Sequence, residues 1–346
     1  MKLRTALVLI AVVVALAIAE VALRLLPLPV PTTVPDETLG YVHAPGLRRT
    51  MVDPESKRRI RFEANEYGFR DGAWNPERRP TVMVVGDSFV DATQVEKEER
   101  LTEVLARDLS RGGPSWQVLN MGVGGTGPEL YVERVREFVP VFSPEYVVVA
   151  ISNPNDVHNP NYDLTPASAR KSYLVRDGSV IAYSDVASGW EQFGWRAKVF
   201  FGQSYVMRFA KDVWVKISTP RQDYLNEVVP RYCRLSSKDL ANSLLIVDTL
   251  LAQMDELSGH RLIVLDIPER NQFQEDLPAG CDRTLLESHL AAFARDRGIL
   301  FVPLFDRFTG LTETPYYVGH LNPFGHRIAA EALREEIDRH RTSSPR

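Results

Sequence analysis

Thr81-Val82-Met83-Val84-Val85-Gly86-Asp87-Ser88-Phe89 is the stretch on which the reading of this chain turns. Its first five residues are apolar or β-branched, without the polar alternation of a half-exposed strand. That is the pattern of a strand covered on both faces, as in a parallel sheet. Gly86 then permits a tight turn, and Ser88 is expected to project from the carboxyl edge of the sheet. Ligands bind at that edge in folds of this kind. Turns use Gly, Asp and Ser freely, so the triplet gains meaning only from the segments around it.

Four further runs have the same character: Trp116–Met121, Tyr146–Ile151, Arg261–Ile267 and Ile299–Pro303. Helical periodicity separates them at Glu98–Ser110, Pro128–Phe138, Ser237–Leu257 and Thr284–Arg297. Strand and helix alternating at this spacing predict an α/β fold, a three-layer α/β/α arrangement around a central parallel sheet. Right-handed crossovers bring all the strand-to-helix loops to one edge. Between Asp156 and Ser236 the rhythm stops and aromatics accumulate, among them Tyr162, Tyr173, Trp190, Trp195, Phe200, Phe201, Tyr205 and Trp214. A connection of that length is expected to have structure of its own, here a helical subdomain. It serves either as extra core beside the sheet or as a cap over a substrate pocket.

Three loops join Ser88 at the carboxyl edge. Asn120-Met121-Gly122-Val123-Gly124-Gly125-Thr126-Gly127 leads into the helix at Pro128 and presents backbone N–H groups suited to a phosphate or an oxyanion. It has the spacing of neither a P-loop nor a dinucleotide fingerprint. Asn153-Pro154-Asn155-Asp156 follows the third strand, as an Asx turn or as a source of a side-chain amide. His320-Leu321-Asn322-Pro323-Phe324-Gly325-His326 places an N-cap at Asn322 and a first helical residue at Pro323. His320 therefore lies on a loop at a helix entrance, while His326 falls inside the helix. His158 is a rival base.

Taken in order, these four segments resemble the SGNH or GDSL-type hydrolase superfamily over about residues 81–333. The resemblance implies Ser88 as nucleophile and His320 as general base. It implies an oxyanion hole formed by the backbone N–H of Ser88, the backbone N–H of Gly125 and the side-chain amide of Asn155. Residues Asn65–Asp71 and the apolar N-terminus resemble a bacterial membrane-bound branch of that superfamily. Two positions depart from its pattern. Asn153 stands where the third block has glycine, and Tyr317 and Val318 stand where an aspartate precedes the histidine. Asp306 or Glu313 could supply the missing carboxylate from a neighbouring loop, or the site could work as a Ser-His dyad. The reaction implied is acyl transfer through an acyl-enzyme. It yields an esterase acting on an acylated small molecule, lipid or glycan, or an O-acyltransferase if a sugar hydroxyl replaces water. A non-catalytic glycan-binding protein on the same fold is the competing class.

The N-terminus predicts where this happens. Lys2 and Arg4 precede an apolar run, Ala6–Ala19, that resumes from Val21 to Leu26. It reads as an uncleaved anchor spanning a bilayer, or as a signal peptide cut after Ala17-Ile18-Ala19. Either places the remainder outside the cytoplasm, and the anchor puts the chain in a bacterial cytoplasmic membrane as a single-pass protein. The expected organisation is residues 1–28 as anchor, 29–80 as a proline-rich stalk and extension, and 81–342 as the catalytic domain, with its insertion at about 157–236. Cys233 and Cys281 suit an exported chain, as one disulfide or two free thiols. With 346 residues, 25% charged and a formal net charge of −4, the chain lacks the basic excess of a nucleic-acid binder. No cofactor is expected, and no His, Cys and carboxylate cluster has metal-ligand spacing.

Overall fold

The structure is a computed structural model, and it describes residues 2–25, 32–152, 156–166, 171–218 and 229–343. Five parallel strands make the central sheet: β5 (Thr81–Gly86), β6 (Gln117–Gly122), β7 (Tyr146–Ser152), β10 (Leu262–Ile267) and β11 (Leu300–Pro303). Their order is β6-β5-β7-β10-β11. The chain thus steps from β5 to one side, then crosses back to β7 on the other. Loops leaving β5 and β7 diverge at this switch point and open a crevice at the carboxyl edge.

The alternation within β5 explains the layers. Met83 and Val85 face one way, into a core with Val132 and Val135 of α4 (Pro128–Phe142), Val247 and Leu250 of α7 (Ser237–Ser258), and Leu290 of α8 (Leu285–Arg297). Val82 and Val84 face the other way, against Val104 and Leu105 of α3 (Leu101–Leu109), Phe308 of the short α9 (Phe305–Phe308) and Ala329 and Leu333 of α10 (Pro323–Ser343). β5, β6, β7 and β10 are buried along their length on both faces, as their unbroken apolar runs require, while the edge strand β11 is only partly buried. The expected α/β fold with helices on both sides of a parallel sheet is the one observed.

Residues before β5 are built into this body. A short hairpin, β1 (Thr33–Asp36) with β2 (Gly40–His43), is followed by a second, β3 (Arg48–Val52) with β4 (Arg59–Glu63). Val34, Leu39, Val42, Phe69 and Trp74 join the core on the α4 side of the sheet. From Thr33 onward the segment expected to be a stalk and extension packs on the α/β body, where its apolar side chains are buried. Residues 26–31, the end of the expected anchor and the start of the expected stalk, lie outside the described residues.

The insertion differs from expectation too. It opens with a hairpin, β8 (Tyr173–Arg176) and β9 (Ser179–Ala182), that packs on α7 as extra core. Only then come two helices, α5 (Gly189–Gly202) and α6 (Tyr205–Ser218). Cys233 and Cys281 are joined in a disulfide, their Cα atoms 5.2 Å apart, tying the segment before α7 to the one before α8. At the N-terminus, α1 (Lys2–Leu25) is a continuous apolar helix whose side chains from Arg4 to Ile18 are exposed, as befits a signal anchor or a signal peptide.

Candidate active site

Ser88 opens a one-turn helix, α2 (Ser88–Asp91), at the carboxyl end of β5. Asp87 caps that turn by accepting the N–H of Phe89 at 2.9 Å, and its second oxygen accepts Ser152 Oγ at 2.6 Å. The turn packs hard against the sheet. A Cβ on Gly86 would lie 2.4 Å from Val90 Cγ2, and one on Gly122 would lie 2.1 Å from the backbone nitrogen of Asp91. Two glycines on adjacent strands thus let the Ser88 turn sit down on β5 and β6.

His320 comes from the loop before α10, 232 residues away in sequence, and its Nε2 lies 2.8 Å from Ser88 Oγ. Ser88 is half-buried. His158 is not the imidazole on Ser88. His326 is fully buried instead, accepting the N–H of Leu101 at its Nδ1, and burial with the nearby Arg100 and Arg70 charges drives its pKa down to about 3. It is a core histidine.

The third residue is Glu55. Its Oε1 lies 2.6 Å from His320 Nδ1. Its Oε2 accepts the backbone N–H groups of Val318, Gly319 and His320 at 3.3, 3.0 and 3.1 Å. Neither Asp306 nor Glu313 holds the imidazole: both are exposed, and Nδ1 is already occupied. Burial opposes ionisation of Glu55, yet its hydrogen bond to His320, the imidazolium charge and the backbone donors outweigh burial and hold the carboxyl at about 2. Conversely, burial lowers the His320 pKa, but Glu55, then Asp87 and Asp53, raise it above the ordinary imidazole value.

Glu55 is delivered by the β3–β4 turn. Asp53 Oδ1 accepts the N–H groups of Glu55 and Ser56 at 2.9 and 2.7 Å. Arg58 leaves the same turn to pair with Glu99 at 2.8 Å, and its guanidinium also donates to Tyr317 Oη at 3.4 Å. Ile60 and Phe62 of β4 are wholly buried beneath it. Glu55 is hard to find in the sequence because it stands 265 residues from the histidine it holds, not beside it. The available signal was the strict polar-apolar alternation Arg59-Ile60-Arg61-Phe62-Glu63 after an Asp-Pro turn, which marks a hairpin packed on something.

The glycine loop lies beside Ser88: a Cβ on Gly124 would come 3.6 Å from Ser88 Cβ. Gly124 N–H donates to Asp91 Oδ2 at 3.1 Å, and both oxygens of that carboxylate lie 3.1 Å from His43 Nε2. Gly125 follows with φ at +75°, a left-handed conformation natural to glycine. Buried Arg134 ties the pieces together, donating to the carbonyls of Gly86 and Met121 and to Thr126 Oγ1. Residues Asn65–Asp71 brace the same region: the Arg70 guanidinium donates to the carbonyls of Asp91, Ala92 and Val95, and Asp71 accepts the N–H of Asn120.

In the third block, Asp156 accepts the N–H of Ser152 at 2.6 Å and the hydroxyl of Tyr131 at 2.9 Å. It is a structural anchor for the loop, and burial together with the Asp87 charge raises its pKa. Asn155, the expected side-chain oxyanion donor, and Asn153 lie outside the described residues. Among the described residues, no three His, Cys, Asp or Glu side chains are grouped as metal ligands.

Comparison with solved structures finds likenesses across three quarters of the chain. TesA is 12% identical, with 75% of this chain and 98% of that one covered at a TM-score of 0.43. A lipase/acylhydrolase from Enterococcus faecalis is 13% identical, covering 75% and 96% at 0.41. A catalytic mutant of Axe2, an acetylxylan esterase from Geobacillus stearothermophilus, is 16% identical, covering 75% and 94% at 0.40. No family model matches the chain, and comparison with curated proteins finds no match. What the site does has to be argued from its own atoms.

Proposed function

We propose that this chain is an SGNH-type serine hydrolase that cleaves esters outside the cytoplasm, tethered to the membrane by α1. The observation that carries the reading is the relay Ser88 Oγ–His320 Nε2–Glu55, at 2.8 and 2.6 Å. The parts of that relay come from three distant stretches of chain, and a structural hydrogen bond needs no such arrangement. In the first step His320 Nε2 takes the hydroxyl proton as Ser88 Oγ bonds to the ester carbonyl carbon. Glu55 accepts the Nδ1–H, keeps Nε2 free to receive the proton and stabilises the imidazolium that forms. The oxyanion is assigned to the backbone N–H groups of Ser88 and Gly125 and the side chain of Asn155, each good donor contributing about 3 kcal/mol. His320 then protonates the leaving alkoxide, and water enters by the reverse sequence.

Glu55 takes the place of the aspartate missing before His320, which favours catalysis over the non-catalytic glycan binder. The substrate class, an acylated glycan, lipid or envelope polymer, follows from the site's expected location.

A fluorophosphonate probe and short-chain nitrophenyl esters, applied to the full chain in detergent, test the reading. Labelling and turnover are expected, and both should vanish in Ser88→Ala and His320→Ala. A folded wild type that neither labels nor turns over would sink it. Acetate released to water rather than moved to a sugar acceptor distinguishes esterase from O-acyltransferase.

A further inference from the structure

We infer that the α5–α6 hairpin is a second membrane contact, with the aromatic face of α5 lying in the headgroup region of the same bilayer that α1 crosses. The inference rests on the anchor reading of α1 in the proposed function and is independent of the catalytic one.

The first observation is an exposed aromatic face. Trp190, Phe193, Phe200 and Phe201 of α5 are 82%, 63%, 74% and 54% exposed. At about 100° per residue these four and Ala197 fall within an arc of about 100° on the helix. The rings group in pairs, Trp190 with Phe193 and Phe200 with Phe201, at centroid distances of 6.2 and 5.2 Å. In α6, Met207, Val213 and Trp214 are also exposed. Lone exposed apolar residues are ordinary, but a clustered aromatic patch marks a contact surface.

The second observation says which contact. Glu20 of α1 caps the start of α6, accepting Ser204 Oγ at 2.8 Å and the N–H groups of Tyr205 and Val206 at 3.0 Å each. That partner on α6 supplies a reason to keep a carboxylate in an otherwise apolar span. Glu20 stands five residues before the described end of α1, about 8 Å along the axis. The hairpin is therefore fixed at the outer end of the span, at the depth where Trp and Phe partition and amphipathic helices lie flat. Its far side is taken: Gln203 Nε2 donates to Pro35 O at 2.9 Å, and Gly202 is pressed against the Pro35 ring. Arg196 and Lys211 are exposed, and their charges suit anionic headgroups. A cap over the substrate pocket would turn its aromatics inward, whereas these turn out.

The test uses the full chain carrying Trp195→Phe, reconstituted into phosphatidylethanolamine–phosphatidylglycerol vesicles with and without bromine on the acyl chains. Trp74 and Trp116, in the domain core, serve as an unquenched reference. Brominated lipid is expected to quench the emission, and most of that quenching should disappear when Trp190 and Trp214 are changed to Tyr. Equal quenching in both chains overturns the inference. So does quenching of Trp190 by aqueous iodide in the vesicles, or its protection from both quenchers, which means a protein or glycan covers the face. Flotation after a carbonate wash separates the two readings. A chain that does not float refutes the anchor itself, while one that floats without lipid quenching refutes only the hairpin contact.

Discussion

Glu55→Gln is the substitution that tests the relay most sharply, because the geometry makes the isosteric change worse than truncation. Glu55 Oε2 sits in a nest of three backbone N–H donors, while Oε1 faces His320 Nδ1. A glutamine must put its oxygen into the nest, since its NH2 there would oppose three donors at a cost of about 3 kcal/mol. The NH2 group then faces Nδ1 and forces the imidazole proton onto Nε2, the atom that has to accept from Ser88. Reversing that tautomer costs the same ~3 kcal/mol, and the lost charge on the imidazolium adds about 1.5–3 kcal/mol. At about 1.4 kcal/mol per decade, kcat should fall by about 10³ to 10⁴. Glu55→Ala forfeits only the charge and the orientation, so its loss is about 10- to 100-fold. Hydrolysis of a nitrophenyl ester across a pH series measures both. The wild-type inflection should lie above the ordinary imidazole pKa of about 6.5 and move down in both variants, since the group that raises it is gone. Equal activity of the glutamine variant and wild type, or an inflection that stays put, would refute the tautomer reasoning.

Acid stability should carry the same signature. The Glu55 carboxyl is held at about 2 against an ordinary 4.5, so its ionised contacts stabilise the fold above pH 4.5. That contribution is lost as pH falls from 4.5 toward 2, and denaturation midpoints of Glu55→Ala measured across this window should fall less steeply than those of wild type. Asp91→Asn should lower kcat several-fold while leaving KM nearly unchanged, because the carboxylate that accepts Gly124 N–H and pairs with His43 positions the loop beside Ser88; parallel losses in both parameters would point to a binding role. Gly122→Ala should be destabilised by at least 1–3 kcal/mol in urea titration, since its Cβ meets backbone that cannot rotate away. Reduction of Cys233–Cys281, which closes a sequence separation of 48, should cost about 2–4 kcal/mol, and an unchanged melting temperature would show that the reduced segment stays docked.

Much of this architecture was written locally. A strand buried on both faces needs an unbroken apolar run, and a helix between such strands needs a stripe, so β5, β6, β7, β10 and β11 and the helices packed on them could be read from periodicity. Ser88 was legible for the same reason: the end of a buried strand is where a side chain emerges. Glu55 was not, because a charge-assisted hydrogen bond of 2.6 Å leaves no trace in sequence when its partners stand 265 residues apart. The β3–β4 turn had to be brought onto His320 by burial of Ile60 and Phe62 before that carboxylate had a role. Glu20 tells the same story from the other end: in sequence it is a flaw in an apolar helix, and only the fold shows it capping α6. Backbone periodicity is a property of neighbours along the chain, whereas the meaning of a charge depends on what the folded chain lays against it.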